Sequence, residues 1–219
     1  MREVVVNTFL TLDGVMQAPG GPEEDPAGEF THGGWSVNYW DDVMGQVMDE
    51  SVHEPFDLLL GRRTYEIFAA HWPHVSDDVM ADKLNAATKY VASRTLQEVE
   101  WANSKLLEGD AGDAVRRLKE QPGPQIQVHG SADLIQTLLR DDLIDRFRVW
   151  IFPVVLGTGK RLFGDGTLPG GLRLVDSRAA TTGVLITTYE RAGDIPYGSF
   201  ALEEPTEAEL ERRRSHEED

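Results

Sequence analysis

The 219-residue chain carries 21 Lys and Arg against 38 Asp and Glu, which gives a formal net charge of −17. This acidity argues against nucleic acid and against an anionic membrane surface as partners, since both are bound through clustered basic residues. The absence of cysteine excludes disulfides, thiolate nucleophiles and Cys-ligated zinc or iron–sulfur centres.

The first half of the chain alternates short β-rich runs with helical patterns. Strands are predicted at Val4–Phe9 and Asp57–Leu60, and helices at Trp40–Val52 and from Thr64 to about Ala70. The three valines of the first strand are too few for a signal peptide, and no 18-residue apolar run occurs in the sequence. We therefore expect a cytoplasmic protein with no membrane span.

The second half continues this alternation and then changes. Its predicted elements are, in chain order, the strand Lys89–Ser93, the helix Ala111–Glu120, the strand Ile126–His129, a helix opened by Gly130-Ser131, and the strands Phe147–Leu156, Leu172–Asp176 and Val184–Glu190. Strands that alternate with helices predict an α/β fold with a largely parallel sheet covered on both faces. The last two strands have no long helix between them, which predicts an antiparallel edge.

We expect one domain over residues 1–200, followed by an acidic tail at 201–219. From Glu203 onward the chain holds eight acids against three arginines and no aromatic residue. Such a block of charge predicts a frayed helix or disorder. A functional acidic arm is the alternative.

The segment Leu58–Thr64 combines a buried strand, a glycine turn, two arginines and a hydroxyl at the start of a helix. Unpaired N–H groups at a helix N-terminus favour an anion, and the guanidinium groups of Arg62 and Arg63 suit phosphate. Gly61 lets the backbone turn tightly. The alternative is that both arginines are solvated and that Thr64 only caps the helix.

Four predicted strand ends carry residues of this kind. They are Thr8 to Gly14, Gly61–Thr64, Ser93-Arg94-Thr95 and Gly130-Ser131. Ligands of open α/β sheets gather at the carboxyl ends of parallel strands, so the four together favour a large polyphosphate ligand. Taken singly, each junction also occurs as ordinary structure.

Other chemistries find little support in the sequence. Neither Gly-x-Gly-x-x-Gly nor Gly-x4-Gly-Lys-Ser/Thr is present, and Gly157-Thr158-Gly159-Lys160 is interpreted as a turn. His71 and His74 flank Trp72-Pro73, a poor geometry for a helical metal pair, so no metal site is expected. The nucleophile elbow of hydrolases is also missing.

The order of several motifs resembles the dihydrofolate reductase-like superfamily, and within it the reductase (C-terminal) domain of bifunctional riboflavin biosynthesis proteins. The resemblance covers roughly Val4 to Arg191. The motifs are Leu12-Asp13-Gly14-Val15, Leu60-Gly61-Arg62-Arg63-Thr64-Tyr65, Val91-Ala92-Ser93-Arg94, Val128-His129-Gly130-Ser131 and Pro153-Val154-Val155-Leu156-Gly157-Thr158-Gly159.

This resemblance implies a three-layer sandwich with a mostly parallel sheet of about eight strands, and NADPH as the cofactor. The cofactor-binding residues that it implies are Gly61, Arg62, Arg63 and Thr64 at the adenosine-side phosphates, Ser93 and Arg94 beside the 2′-phosphate, Gly130, Ser131 and Ala132 under the pyrophosphate, and Thr8, Asp13 and Gly14 by the nicotinamide. Many relatives have two glycines where this chain has Gly130-Ser131, a departure that weakens these residues as evidence for a pyrophosphate site without excluding it, since serine can still donate its backbone N–H. A homodimer is implied as well, with Phe147–Leu156 and the final strands as interface candidates.

The resemblance predicts an NADPH-dependent reductase of a small heterocycle, either pterin-like or ribityl-pyrimidine-like. Asp41 or Asp42 could manage the proton, although both also stand where a helix N-cap is expected. Trp35, Tyr39 and Trp40 form either an aromatic wall for the substrate or a packed loop. The alternative function is a nucleotide-binding regulatory module without catalysis.

Overall fold

The computed structural model describes residues 1–165 and 167–216. Within them one sheet has the strand order β4-β3-β2-β5-β1-β6-β8-β7. The strands are β1 Val4–Thr11, β2 Phe56–Gly61, β3 Lys89–Ala92, β4 Ser104–Leu106, β5 Gln125–Val128, β6 Arg146–Phe152, β7 Leu172–Ala179 and β8 Leu185–Arg191. Strands β1 to β6 pair in parallel, and β7 and β8 are antiparallel. The predicted, mostly parallel sheet of about eight strands with an antiparallel C-terminal edge is therefore confirmed.

Helices cover both faces of this sheet. They are α1 Asp42–His53, α2 Arg62–His71, α3 Val79–Ala86, α4 Ala111–Glu120, α5 Ala132–Arg140 and α6 Glu207–His216, with short 3-10 helices at Val37–Tyr39 and Trp72–His74. Helices α4 and α5 pack on one face through an apolar stripe that includes Val115 and Ile135. Helices α2 and α3 pack on β2 and β3 of the other face, while α1 packs on β6 and β8 through Met44. The result is three layers.

Two predicted boundaries change for identifiable reasons. The helix predicted from Trp40 begins at Asp42, because Asp41 is its N-cap in an extended backbone conformation. The strand predicted as Phe147–Leu156 ends at Phe152, because the next residue is proline, which has no N–H to donate to a ladder. The turn expected at Gly157–Lys160 lies just beyond it.

Helix α3 and strand β4 were not predicted. Lys89 explains how this short helix is held: its ammonium group is buried and donates to the carbonyls of Leu84, Asn85 and Ala87 at the helix end. It also lies 4.2 Å from the centroid of the Trp101 ring. A lysine that satisfies helix carbonyls through the tertiary fold leaves no periodic signal in the sequence.

The tail forms the exposed helix α6, in which Glu209 pairs with Arg212 and Arg213 one turn away. Residues 217–219 lie outside the described part. In the described part of the chain, none of the helices is long and apolar enough to cross a bilayer.

Candidate functional site

Four of the predicted loops follow neighbouring parallel strands of the sheet. Strands β3, β2, β5 and β1 are neighbours in that order and run parallel, so their carboxyl ends share one edge. The loops that follow them are Ser93-Arg94, Gly61–Thr64, Gly130–Ala132 and Leu12–Gly14. The loops after β3, β2 and β5 are thus neighbours, whereas the pairing of Val6 with Val128 puts Leu12–Gly14 further along the strand direction, where Asp13 meets the loop after β6.

The loops after β2 and β5 touch each other closely. The Gly61 N–H donates to the Gly130 carbonyl at 3.2 Å, and the hydroxyls of Ser131 and Thr64 lie 3.2 Å apart. A Cβ on Gly61 would overlap the Ser131 side chain, with Ser131 Cβ at 2.9 Å, and a Cβ on Gly130 would lie 2.5 Å from Thr64 Oγ1. Both glycines are therefore required by contact, and the peptide between Gly130 and Ser131 is cis. Ser131, the departure from the family pattern, fills space beside Thr64.

The helices that begin at this junction differ from three others in how their N-termini are capped. Helices α1, α3 and α4 each begin with an aspartate, Asp41, Asp78 or Asp110, whose carboxylate accepts a backbone N–H. Helices α2 and α5 begin at Gly61 and Ser131, whose side chains do not cap their own helices, although the Thr64 N–H of α2 lies 3.5 Å from Ser131 Oγ. Their first N–H groups and their helix dipoles thus present two neighbouring positive ends at the carboxyl edge of the sheet.

The arginines around this junction have different partners. Arg62 pairs with Glu66 one turn along α2 at 3.1 Å, with both side chains more than two-fifths exposed. Arg63 binds Asp25 at 2.9 Å. Arg94 is exposed and has no ion pair within the described residues, while the Ser93 hydroxyl accepts the N–H of Leu96 and shapes the turn. Arg62 and Arg94 therefore keep guanidinium groups accessible from solvent.

Asp25 ties the loop of residues 18–34 to the start of α2 and to Lys160 through two ion pairs. Its carboxylate binds both Arg63 of α2 and the ammonium group of Lys160, while only 16% of its own side chain is exposed. The Gln17 amide donates to the backbone carbonyls of Asp25 and Ala27, both at 2.9 Å. The structure thus connects Arg63 to the loop.

Thr8, Asp13 and Gly14 occupy different places. Thr8 is buried within β1 and makes only a 3.4 Å contact with a neighbouring carbonyl. The Thr11 hydroxyl, together with backbone N–H groups of the loop after β6, holds the pKa of the Asp13 carboxyl well below its ordinary value. Gly14 has a φ of +79°, a left-handed conformation that favours glycine. Asp13 therefore joins two loops.

The two candidate acids, Asp41 and Asp42, lie at the start of α1. Asp41 accepts the Met44 N–H at 2.9 Å, and both the N–H and the hydroxyl of Thr181 at 2.6 Å. The Thr181 hydroxyl, and then the Met44 N–H, lower the pKa of Asp41. Asp42 is exposed in the first turn of α1. The structure thus gives Asp41 the capping role that the sequence had left open, and uses the same carboxylate to hold the turn between β7 and β8.

The three aromatic residues before α1 were expected to form either an aromatic wall for the substrate or a packed loop, and they do not all behave alike. Trp35 and Tyr39 pack edge-on against Phe152, and the Trp35 indole donates to the Gln17 carbonyl at 2.8 Å. Trp40 stacks on Trp150 with an interplanar angle of 13° and remains 46% exposed. Two of the three rings thus pack the loop, and the third keeps an open surface.

Sequence reasoning missed a polar row on the face of the sheet between α1 and α2. Asn7 of β1 pairs in register with Arg148 of β6, and His129 follows β5 on the other side of β1. We call this row of Asn7, His129 and Arg148 the trough, and the Phe68 ring of α2 packs against His129 with ring centroids 6.0 Å apart. The signal was present as polar residues at every second position of strands that lie in the middle of the sheet.

Comparison with known proteins agrees with this fold. The sequence pattern of the RibD C-terminal domain matches residues 2–186. The uncharacterized protein YyaP of Bacillus subtilis is 30% identical over 200 residues, which cover 88% of this chain and 96% of that protein. YwjB of the same organism is 26% identical over 176 residues, which are 79% of this chain and 89% of that protein.

Solved structures give the same fold at low identity. A putative riboflavin biosynthesis protein from Shewanella sp. PV-4 superposes with a TM-score of 0.60 at 22% identity, over 88% of this chain and 99% of that one. A pyrimidine reductase-like protein from Corynebacterium diphtheriae gives 0.54 at 14%, over 88% and 93%. Dihydrofolate reductase from Enterococcus faecalis, complexed with NADP(H) and RAB-propyl, gives 0.54 at 12%, over 86% and 96%. The predicted dihydrofolate reductase-like fold is confirmed.

Proposed function

Because the chain belongs to the RibD C-terminal domain family, we propose that it is an NADPH-dependent reductase of a small heterocyclic substrate. The observation that carries the proposal is the meeting of two helix N-termini, α2 and α5, at Gly61 and Ser131, where neither N-cap side chain caps its own helix and the Thr64 N–H makes only a long 3.5 Å contact with Ser131 Oγ. Two such ends together suit a pyrophosphate, since each offers unpaired N–H groups and a positive dipole.

The residues around the junction fit the rest of such a cofactor. Arg62 and Arg94 flank the junction with accessible guanidinium groups, and we assign the 2′-phosphate to them. Thr64 and Ala132 stand in the first turns of their helices, where they would border the pyrophosphate. When bound, NADPH supplies a hydride. The chain's own part is to orient the two rings over the end of β1 and to exclude water with the 18–34 loop.

The choice of NADPH over NADH tests the cofactor assignment. A charge-assisted contact between arginine and phosphate is worth roughly 1.5–3 kcal/mol, so NADPH should bind at least about tenfold more tightly than NADH. Arg62→Gln and Arg94→Gln should each reduce that preference, measured by titration with both cofactors. Arg116→Gln, on the exposed side of α4, is the matched control. Equal affinity of the wild type for NADPH and NADH would remove the assignment.

A second candidate is a regulatory module that binds the nucleotide without catalysis. It is favoured by one observation: both oxygens of the Asp41 carboxylate already accept hydrogen bonds, from Met44 and Thr181. Single-turnover oxidation of bound NADPH by any member of a panel of pterins, flavins and pyrimidines would exclude this candidate. Tight NADPH binding with no oxidation across the panel would favour it over the reductase.

We also propose that the chain forms a homodimer through the edge strand β7. All eight residues of β7 are exposed, and Leu172, Leu174 and Val175 are each more than two-fifths accessible. An exposed apolar edge strand is normally covered by another chain. Light scattering should give twice the mass of 24.4 kDa, and Leu174→Lys should shift it toward the monomer.

A further inference from the structure

The segment that follows β8 carries large apolar side chains that its own chain leaves exposed. We call residues 195–202 the arm, and its large apolar side chains are Ile195, Tyr197, Phe200 and Leu202. Phe200 is fully exposed, while Tyr197 and Leu202 are 84% and 68% exposed. The arm therefore presents apolar surface that a single chain does not bury.

The composition of the arm differs from that of the tail behind it. Terminal segments that stay in water are normally polar and hold few aromatic residues, and residues 203–219 fit this description because they contain none. The arm instead contains Tyr197 and Phe200, and its hydrogen bond within the described residues is a local one, from the Ala201 N–H to the Ser199 hydroxyl. Its aromatic side chains thus call for a surface on which to pack.

A groove beside the start of the arm is also left uncovered. Its volume is about 110 Å³, and the large apolar side chains that line it are Leu138, Leu139, Phe147, Phe163, Leu168 and Leu172. The rings of Phe147 and Phe163 lie 5.6 Å apart. An apolar cavity of about 150 Å³ holds a benzene molecule, so this groove, which is open on one side, has room for one aromatic side chain.

The arm leaves the domain at the edge of this groove. Gly193 lines the groove and accepts the Gly171 N–H at 2.7 Å, while the Ala192 N–H donates to the Gly171 carbonyl at 2.8 Å. Leu172, the first residue of β7, belongs both to the groove and to the exposed edge strand. The groove, the start of the arm and the edge strand are thus one continuous surface.

A twofold dimer across β7 brings two copies of this surface together. In such an interface each patch faces its own counterpart, so the arm of one chain starts close to the groove of the other. Eight extended residues reach roughly 26–29 Å, enough to cross between neighbouring patches. A stable interface takes about 20–30 residues on each side, more than the eight residues of β7 supply, and the arm and the groove add to that number.

The charges around the groove fit the residues that follow the arm. Arg191 lines the groove, and Arg173 lies next to Leu172 in β7. Both side chains are more than two-fifths exposed, so they keep N–H donors accessible from solvent. Glu203 and Glu204 come directly after the arm, and an arm seated in the groove would bring these carboxylates to the two arginines.

We infer that the arm of each chain crosses to a second copy of the protein and places the Phe200 ring in the groove of that copy. This inference rests on the proposed homodimer for the contact across β7 and on nothing in the proposed chemistry. The family pattern matches residues 2–186, so the exchanged arm lies beyond the part of the chain that the pattern describes.

Cross-linking between chains tests the exchange. The protein has no cysteine, so Ala201→Cys in the arm and Leu168→Cys at the rim of the groove each introduce a single thiol. The two variants are co-expressed with tags of different size and treated with a short bismaleimide. We expect a product that joins one chain of each kind. Co-expression of Ala201→Cys with Ala70→Cys, at an exposed position of α2, is the control and should give no such product.

The double variant Ala201→Cys/Leu168→Cys separates exchange from folding back. An exchanged arm links two chains, and the product has twice the mass of the monomer. An arm that returns to the groove of its own chain gives an internally linked monomer, which would overturn the inference. Absence of any link between the two positions would overturn it as well.

Truncation of the aromatic side chains measures what the arm contributes to the dimer. Tyr197→Ser together with Phe200→Ser removes two rings that are exposed in the single chain, so the fold of that chain is preserved. The dimer should then dissociate at a concentration at least about tenfold higher in a sedimentation dilution series, since buried aromatic anchors dominate interface energies. Val79→Ser, at an exposed apolar position of α3, is the matched control. Dissociation of the arm variant at the wild-type concentration would contradict the inference.

The inference and the earlier proposals fail separately. A dimer whose chains show no link between arm and groove keeps the homodimer and loses the exchange. Glu190 near the end of β8 pairs with Arg146 at the start of β6, so the arm leaves at the amino-terminal end of the parallel strands, opposite the proposed cofactor site. The arm variant should therefore bind NADPH with the wild-type affinity, and a monomer that binds NADPH keeps the proposed chemistry and loses the inference.

Discussion

The arginines at the strand ends and Arg148 in the trough carry the same charge in opposite settings. Arg62 is 42% exposed and holds a surface pair with Glu66, an interaction that water and salt weaken to about 1 kcal/mol or less. Arg148 is 15% exposed and has an unused donor. An exposed arginine can therefore attract a phosphate at little cost to folding. A buried one with an unused donor instead reduces the stability of the folded protein.

The buried, neutral imidazole of His129 in the trough should make the free energy of unfolding depend on pH. The pKa of His129 is about 4 in the folded protein against 6.5 for the free side chain. Between these two pH values the imidazole is therefore mostly protonated in the unfolded chain and mostly neutral in the folded chain. Stability from this residue is complete above pH 6.5 and is lost as the pH falls toward 4. The full loss is about 3 kcal/mol, of which about 2 kcal/mol falls between pH 7.5 and 5.

Urea unfolding at pH 7.5, 6 and 5 gives the free energy of unfolding of the wild type and of His129→Gln. The loss due to His129 is the amount by which the wild-type value falls more steeply with decreasing pH than the value of the variant. His53→Gln, at an exposed position of α1, is the control and should follow the wild type. Parallel pH profiles for wild type and His129→Gln would show that the imidazole is not held neutral, and the contrast between the two regions would weaken.

At the junction of Gly61 and Ser131, stability should depend on side-chain volume, whereas in the trough it should depend on charge. Gly61 has an ordinary φ of −72°, so Gly61→Ala brings no backbone strain and acts only through overlap with the Ser131 side chain. We expect a loss of about 2 kcal/mol in the free energy of unfolding, together with weaker NADPH binding.

Ser131→Gly in the Gly61→Ala background should recover about half of that loss, since it removes two of the three atoms that the new methyl group meets. A double-mutant cycle in urea measures the coupling between the positions. Additive effects would contradict the close contact of the two loops.

Asp25→Asn separates the loop from the junction. It removes the pairs with Arg63 and Lys160, which should cost about 1 kcal/mol of stability and expose the 18–34 loop to limited proteolysis. Because Arg63 is released and a nearby negative charge is lost, NADPH should bind about two- to fivefold more tightly at low salt. Unchanged or weaker NADPH binding would indicate that Asp25 positions Arg63 for the cofactor instead of withholding it.

Asp41→Asn should have the smallest effect. An asparagine keeps one acceptor oxygen for the Met44 N–H of α1, and its NH2 group can donate to the Thr181 hydroxyl, but the Thr181 N–H loses its acceptor. The unfolding free energy should therefore fall by about 1 kcal/mol or less. Turnover should stay within about threefold of the wild type, whereas loss of a true general acid lowers it by a factor of about 100 or more. Steady-state kinetics of the variant with an accepted substrate decides between the two roles.

Local sequence signals predicted the parts of the site that depend on chain direction. Gly61, Arg62 and Thr64 follow a buried strand and open a helix, so their place at the carboxyl edge follows once the sheet is parallel. The same holds for Gly130 and Ser131. Asp41 could not be assigned in this way, because an aspartate before a helix looks the same whether it caps the helix or serves a substrate. Only its contact with Thr181, 140 residues away, distinguishes the two.

By itself, the sequence determined the alternation of strands and helices, the antiparallel C-terminal edge and the phosphate-suited turns, because each depends on neighbours within a few residues. The tertiary structure alone decided the pairing of Asn7 with Arg148, the placement of His129 beside them, and the ion pair between Asp25 and Arg63. These contacts join residues 19 to 141 positions apart. Their energies come from burial and from charge at close range, and neither quantity exists until the chain has folded.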